Sequence, residues 1–156
     1  MMTRANELLH GLDDEQTDAL RALGVRRRVA PGERLFSLGD AADDLFLVER
    51  GRLALTLPMR VGDRDEEVLI EERQAGQALG WSALIPPHRF TLTAKALADT
   101  EVLALGRDRL RTHFEANPEV GYIVARNVAA IVGQRLHVFQ AMWLREMQRV
   151  VRFSHA

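Results

Sequence analysis

The side chains best suited to metal ligation or proton transfer are His10, His88, His113, His137 and His155, and they are scattered without zinc-like spacing. There is no cysteine, which excludes a disulfide scaffold, a thiolate metal site, a cysteine nucleophile and a redox switch. The carboxylate pairs Asp13-Asp14 and Glu66-Glu67 fall in stretches that read as solvated turns. No Gly-x-Ser-x-Gly, no phosphate-loop glycine run with lysine and no dinucleotide fingerprint occurs. No catalytic group, metal or cofactor is expected, and the chain does not read as an enzyme. Gly80-Trp81-Ser82-Ala83-Leu84 begins at a turn glycine, and Arg89 comes shortly after it. One helical turn after Gly80 would aim free backbone N–H groups at an anion. Ser82 could add a hydroxyl and Arg89 a fork of donors. Arg89 suits either a phosphate contact or a solvated loop. Trp81 suits a plug filling the site, a stacking platform for a flat ligand, or a contact with a partner.

The elements around this segment follow from periodicity. Residues 1–24 read as helical, with a capping box from Asp13 to Gln16 and a stop at Gly24. From Val25 the pattern changes to period two. Leu45 to Val48 and Leu53 to Leu57 read as strands joined by a hairpin turn over Glu49-Arg50-Gly51-Arg52. Residues 60–67 read as a charged, solvated hairpin tip. Val68 to Ile70, Thr91 to Leu97 and Val102 to Leu105 complete the strands, and Gly76 and Gly80 bracket a turn. Leu110 and Phe114 mark a short helix. Asn117-Pro118 then has the form of a cap followed by proline at the first helical position.

The helix after Pro118 has no strong breaker before residue 152, and would run roughly 50 Å at about 1.5 Å per residue. Val132, Leu136, Phe139, Trp143, Met147 and Val150 are spaced 4, 3, 4, 4, 3 along it, close to a heptad seam. Such a stripe suits either a helix lying along its own domain or self-association, and apolar positions that persist to the end of so long a helix favour a homodimer seam. The expected organisation is one domain overall: a helical segment over 1–30, a β-roll core with a short helix over 31–116, and the long helix over 117–156. The fold class is mainly β with flanking helices, a jelly-roll-like roll.

Composition and charge speak against a nucleic-acid or membrane protein and propose no function of their own. The 156 residues are 47% apolar and 28% charged, with a net charge of -1. No basic field draws the chain to DNA or anionic lipid, and no apolar run approaches the roughly 18 residues of a membrane span. The N-terminus lacks a signal peptide's apolar core, so a cytoplasmic location is expected. Arg26-Arg27-Arg28 is the densest basic patch and precedes a strand, which reads as a solvated sheet edge.

Pro31-Gly32-Glu33-Arg34-Leu35-Phe36-Ser37-Leu38-Gly39-Asp40, followed by Asp44-Leu45-Phe46-Leu47-Val48-Glu49-Arg50-Gly51, resembles the opening of a cyclic-nucleotide-binding domain. Ala96 to Leu105 resembles that family's last strand pair, and Asn117-Pro118 with its helix resembles the dimerising helix of catabolite-activator-like regulators. The resemblance covers about residues 8 to 150. It implies a β-roll whose ligand sits between roll and long helix, so that binding moves the helix. It also implies a glutamate after the turn glycine for a ribose hydroxyl and a downstream arginine for the cyclic phosphate. Here Trp81 follows Gly80, and Phe90 stands at the arginine position with Arg89 beside it. The implied contacts are Gly80, Trp81, Ser82, Ala83, Arg89, Phe90 and Thr91 on the roll, with Phe139 and Gln140 facing them from the helix. The expected function is a stand-alone regulatory sensor for a small anionic ligand, with a cyclic nucleotide such as cyclic AMP among the candidates. The alternative is an interaction module that kept the fold, lost the ligand and works through a protein partner. The family's DNA readers carry a helix-turn-helix after the long helix; this chain stops at Ala156, so DNA is not an expected partner.

Overall fold

The computed structural model describes residues 5–155. After a 3-10 turn at Glu7–Leu9 comes the helix α1 (Asp14–Arg21). Eight strands follow: β1 (Val25–Val29), β2 (Arg34–Phe36), β3 (Asp44–Arg50), β4 (Arg52–Val61), β5 (Arg64–Gln74), β6 (Ala78–Leu79), β7 (Thr93–Ala96) and β8 (Thr100–Gly106). A second 3-10 turn, Trp81–Ala83, lies between β6 and β7. The chain continues with α2 (Arg107–Ala116) and α3 (Pro118–Ser154).

The strands form two antiparallel four-stranded sheets, ordered β1-β8-β3-β6 and β2-β7-β4-β5. This is the expected roll, with two corrections. First, β1 pairs with β8 from Val25↔Ala104 to Val29↔Thr100, so the roll begins at Val25 and the helical segment ends before residue 30. Second, β3 and β4 do not form a hairpin. They belong to opposite sheets, and Gly51, at φ 91°, carries the chain across. A Cβ there would come within 2.6 Å of the Asp99 carbonyl oxygen, so glycine is required on both counts. Glu49, read as a turn residue, is 1% exposed and paired with Arg21 of α1. The charged stretch does form a hairpin tip, with Val61↔Arg64 closing β4 on β5.

The core explains the composition of β3. Successive strand residues point to opposite faces, yet Leu45 through Glu49 are all buried. Both faces of β3 are therefore covered. Leu8, Leu20, Leu110, Val120, Val124 and Val128 from the helical segments share one core with Leu53, Leu55, Ala94 and Ala96 of the second sheet.

The helix α3 has 37 residues, about 55 Å at 1.5 Å per residue. Its body-facing arc is Val120, Val124, Asn127, Val128, Ile131 and Arg135. From Trp143 to His155 every residue is exposed. Asn117 does not cap it as expected. Its side-chain Nδ2 donates to the His113 carbonyl at 3.0 Å, closing the end of α2, because the two helices abut without an intervening loop. No helix among the described residues is long and apolar enough to cross a membrane.

Candidate functional site

The binding segment leaves β6 at Gly80, which has φ 81° and sits hard against the roll. A Cβ there would lie 3.1 Å from Phe46 Cδ2, 3.2 Å from the Asp44 carbonyl oxygen and 3.3 Å from Phe90 Cε1. The left-handed backbone and the close approach both require glycine. The chain then makes one 3-10 turn over Trp81–Ala83. The Ala83, Leu84 and Ile85 amides are consumed locally, donating to the carbonyls of Gly80, Trp81 and Ser82. Only the first amides of the turn remain for a ligand. Among the described residues, no acceptor meets the N–H of Trp81 or Ser82. The expected row of free donors from Gly80 to Leu84 is thus shorter, because a 3-10 turn pairs its amides with acceptors only three residues back.

Behind Gly80 the space is aromatic. Phe90 is 6% exposed and stacks on Phe36 with ring centroids 3.7 Å apart and planes 8° apart. Phe46 continues the cluster 5.9 Å from Phe36. Phe90 therefore anchors the core and offers no charge. Arg89 does not supply one to the turn either. Its Nη1 donates to the Gly39 carbonyl at 2.9 Å, across the bridge that pairs Ala41 with Arg89. Thr91 is exposed, while Ser82 and Ala83 are buried. The Ser82 carbonyl faces His88 Nδ1 at 3.1 Å.

Trp81 points the turn at α3. A cleft of about 550 Å³ separates them. Trp81, Leu84, Ile85 and Phe114 form one wall, and Gly121, Ala125, Val128, Ala129, Val132 and Gly133 the other. The helix positions opposite the turn therefore lie one to several turns before Phe139 and Gln140. Phe139 packs partly buried against the protein's own core, and Gln140 is exposed. Of the sequence-derived set, Gly80, Trp81, Ser82 and Ala83 form one unit with Phe90 packed behind it. Arg89, Thr91 and the two helix positions are not part of the cleft. In the seam, Leu136 is 67% and Trp143 60% exposed, Met147 and Val150 are also exposed, and Val132 is half-buried.

A second, polar junction between roll and helix was missed by the sequence. Arg135 of α3 donates through Nε to Glu71 Oε2 at 2.9 Å. Arg73 bonds the same oxygen at 3.0 Å and reaches Glu7 Oε1 at 3.2 Å. Glu7 Oε1 also accepts from the Ala78 amide at 3.0 Å. This chain of alternating charge ties the N-terminal turn, β5 and α3 together. Burial holds the Arg135 guanidinium below its ordinary pKa, against the opposing pull of Glu71. Asn127 adds a second tie, donating through Nδ2 to the carbonyls of Leu8 at 2.7 Å and His10 at 2.8 Å. A signal for both was present. Asn127 and Arg135 fall in phase with Val120, Val124, Val128 and Ile131, and polar groups on a buried arc need fixed partners.

Comparison with known proteins follows the same outline. Residues 26–117 match the family model described as cyclic nucleotide-binding domain. The cyclic AMP receptor protein of Thermus thermophilus is 29% identical over 85% of this chain and 58% of its own length. Other curated relatives, including glutaminase 1 of Bradyrhizobium diazoefficiens, are matched over only 21% of their length. Among solved structures, the N-terminal domain of a transcriptional regulator from Streptomyces coelicolor is 32% identical with a TM-score of 0.71, covering 84% of this chain and 89% of that one. The catabolite activator protein of Thermus thermophilus has a TM-score of 0.73 at 27% identity, covering 92% of this chain and 63% of its own.

Proposed function

The chain belongs to the cyclic-nucleotide-binding domain family, and from that premise we propose that it is a cytoplasmic regulatory sensor domain that dimerises through α3 and takes a small anionic ligand at the Gly80–Ser82 turn. One observation carries this reading: the turn with the unmet Trp81 and Ser82 amides forms one wall of a cleft whose other wall is α3. A ligand drawn to those amides displaces Trp81, which faces the helix across the cleft. A change of ligand state is thereby converted into a change of helix position, which needs only differential contact in the two states. No catalytic step is proposed.

Ordinary cyclic nucleotides fit this turn poorly. An indole replaces the carboxylate that would accept from a ribose hydroxyl, a charge-assisted bond worth about 1.5–3 kcal/mol. Phe90, locked on Phe36, replaces the cation for the phosphate. The expected outcome in calorimetry is a cyclic AMP or cyclic GMP dissociation constant of about 10 μM or weaker, at most about 7 kcal/mol of binding. Submicromolar binding would instead mean that Trp81 stacks on the nucleotide. The Phe36–Phe90–Phe46 cluster favours a second reading, an interaction module with a filled roll. Trp81→Glu separates the two. If the indole alone blocks the site, the variant gains cyclic nucleotide binding; if the aromatic cluster has closed it, folded Trp81→Glu gains none.

A further inference from the structure

Arg107, Arg111 and Glu115 recur at intervals of four along α2, and Phe114 lies beside that row. One face of the helix therefore carries two guanidinium groups, a carboxylate and an aromatic ring. This face lines a cleft of about 710 Å³. Leu84, Pro86 and His88 form its second wall, and Pro118 and Gly121 at the start of α3 its third. Such a volume, with apolar surface and a few polar groups to fix orientation, suits a small molecule. Gly121 makes the corner. A Cβ there would lie 3.0 Å from Phe114 Cβ and 3.2 Å from its Cγ, so the missing side chain lets α3 close on that residue.

The polar groups are held in place beforehand. His88 has φ 58°, a left-handed backbone uncommon outside glycine. Its N–H donates to the Ile85 carbonyl at 3.0 Å, and its carbonyl accepts from the Ala42 amide at 2.8 Å. Its Nδ1 faces the Ser82 carbonyl at 3.1 Å. A carbonyl oxygen only accepts, so Nδ1 carries the proton. Nε2 is left over, with no partner among the described residues. An unusual backbone maintained at the edge of a cleft points to function. Ala42, wholly buried, also accepts from Arg107 Nη1 at 2.8 Å. One buried residue thus positions both His88 and Arg107.

The arginines of the cleft keep their charge available. Asp43 lies 3.6 Å from Arg107 and Asp108 lies 3.5 Å from Arg111, with side chains 76% and 92% exposed. Ion pairs this open contribute little. Arg28 and Arg135, by contrast, are committed to carboxylates at 2.6 and 2.9 Å.

We propose that this cleft is a binding site, separate from the Gly80–Ser82 turn, for a small monocarboxylic acid with an apolar body. Arg111 and Arg107 take the carboxylate, assisted by His88 Nε2, and the body lies against Phe114, Leu84 and Pro118. Two cations set against the single carboxylate of Glu115 favour one negative charge over two.

The test is calorimetry with phenylacetate as the probe. Saturable one-site binding is expected, with uncharged phenylacetamide about 10-fold weaker or worse. Phenyl phosphate, a dianion, should also bind more weakly than phenylacetate. Arg111→Gln, at an exposed position, should cost about 10-fold. In His88→Asn the new side chain tolerates left-handed backbone and can still donate to the Ser82 carbonyl, but has no nitrogen in place of Nε2. It should bind severalfold more weakly with unchanged thermal unfolding. NMR amide shifts on adding phenylacetate should centre on His88, Arg111, Phe114 and Gly121. No saturable binding by the unsubstituted protein, equal affinity for phenylacetamide, or either variant binding as well as the parent overturns the proposal. Shifts centred on Trp81 and Ser82 also overturn it, and would instead support the turn as the anion site.

Discussion

At the scale of single residues, the exposed ends of the first sheet show how far a local charge pair can be read. Arg28 clasps Asp99 with both arms of its guanidinium, Nε to Oδ1 at 3.0 Å and Nη2 to Oδ2 at 2.6 Å. The hydrogen bond from Arg28 is the main cause that lowers the Asp99 pKa to about 2, with Arg50 adding to it. A carboxyl whose folded pKa is depressed contributes stability at pH values above its ordinary pKa, and that contribution disappears as pH falls through about 2. An NMR titration of the Asp99 carboxyl should therefore find its midpoint near 2, and in Arg28→Ala the midpoint should move up toward the ordinary value. A midpoint already ordinary in the unsubstituted protein would mean the pair is open in solution. The same clasp blunts an edge strand. With β1 at the end of its sheet, paired arginines discourage pairing with another chain.

At the scale of elements, two different fastenings hold α3. Its first half is packed by Val120, Val124, Val128 and Ile131. Its middle is held by Arg135, which is 6% exposed and bonded to Glu71. Arg135→Ala removes one of the two arginines that share Glu71 Oε2 and leaves Arg73 on that carboxylate, so it should destabilise the protein by about 1.5–3 kcal/mol, the range of a lost charge-assisted hydrogen bond. The effect belongs to the junction and not to helix propensity, since alanine is the best helix former. Hydrogen exchange should accordingly accelerate around residues 135–142 and in β5 before it does in β3. If exchange rises evenly over the whole chain, or the loss of stability is below about 1 kcal/mol, the pair does not fasten the helix.

At the scale of the whole molecule, the charge distribution argues against DNA as a partner of these 156 residues. The net charge is -1, and two of the three arginines in the best basic patch are already engaged. Arg26 lies 3.5 Å from Glu101, and Arg28 lies 2.6 Å from Asp99. Phosphate contacts would have to displace those carboxylates, and the counterion release that drives nucleic-acid binding would be correspondingly small. A mobility-shift assay with this chain at physiological salt should show no sequence-specific complex. A specific complex tighter than about 10⁻⁸ M would refute that.

Much of this architecture was legible because it is local. The Asp13–Gln16 capping box, the strand alternation, the charged β4–β5 tip and the long helix after Pro118 each depend on a few neighbouring residues. The uncharged seam of α3 was visible for the same reason, since 3.6-residue periodicity writes a helix face directly into the chain. Tertiary structure alone decided the rest. Gly51 had every mark of a hairpin turn, and only the pairing of β3 with β8 and of β4 with β7 shows that it switches sheets. Phe90 and Arg89 are sequence neighbours of equal promise, but alternation along the backbone sends one into the Phe36 stack and the other to the Gly39 carbonyl. Arg135 and Glu71 are 64 residues apart. No local pattern sets the angle at which a long helix crosses a sheet, and that angle decides which of its residues meet the roll.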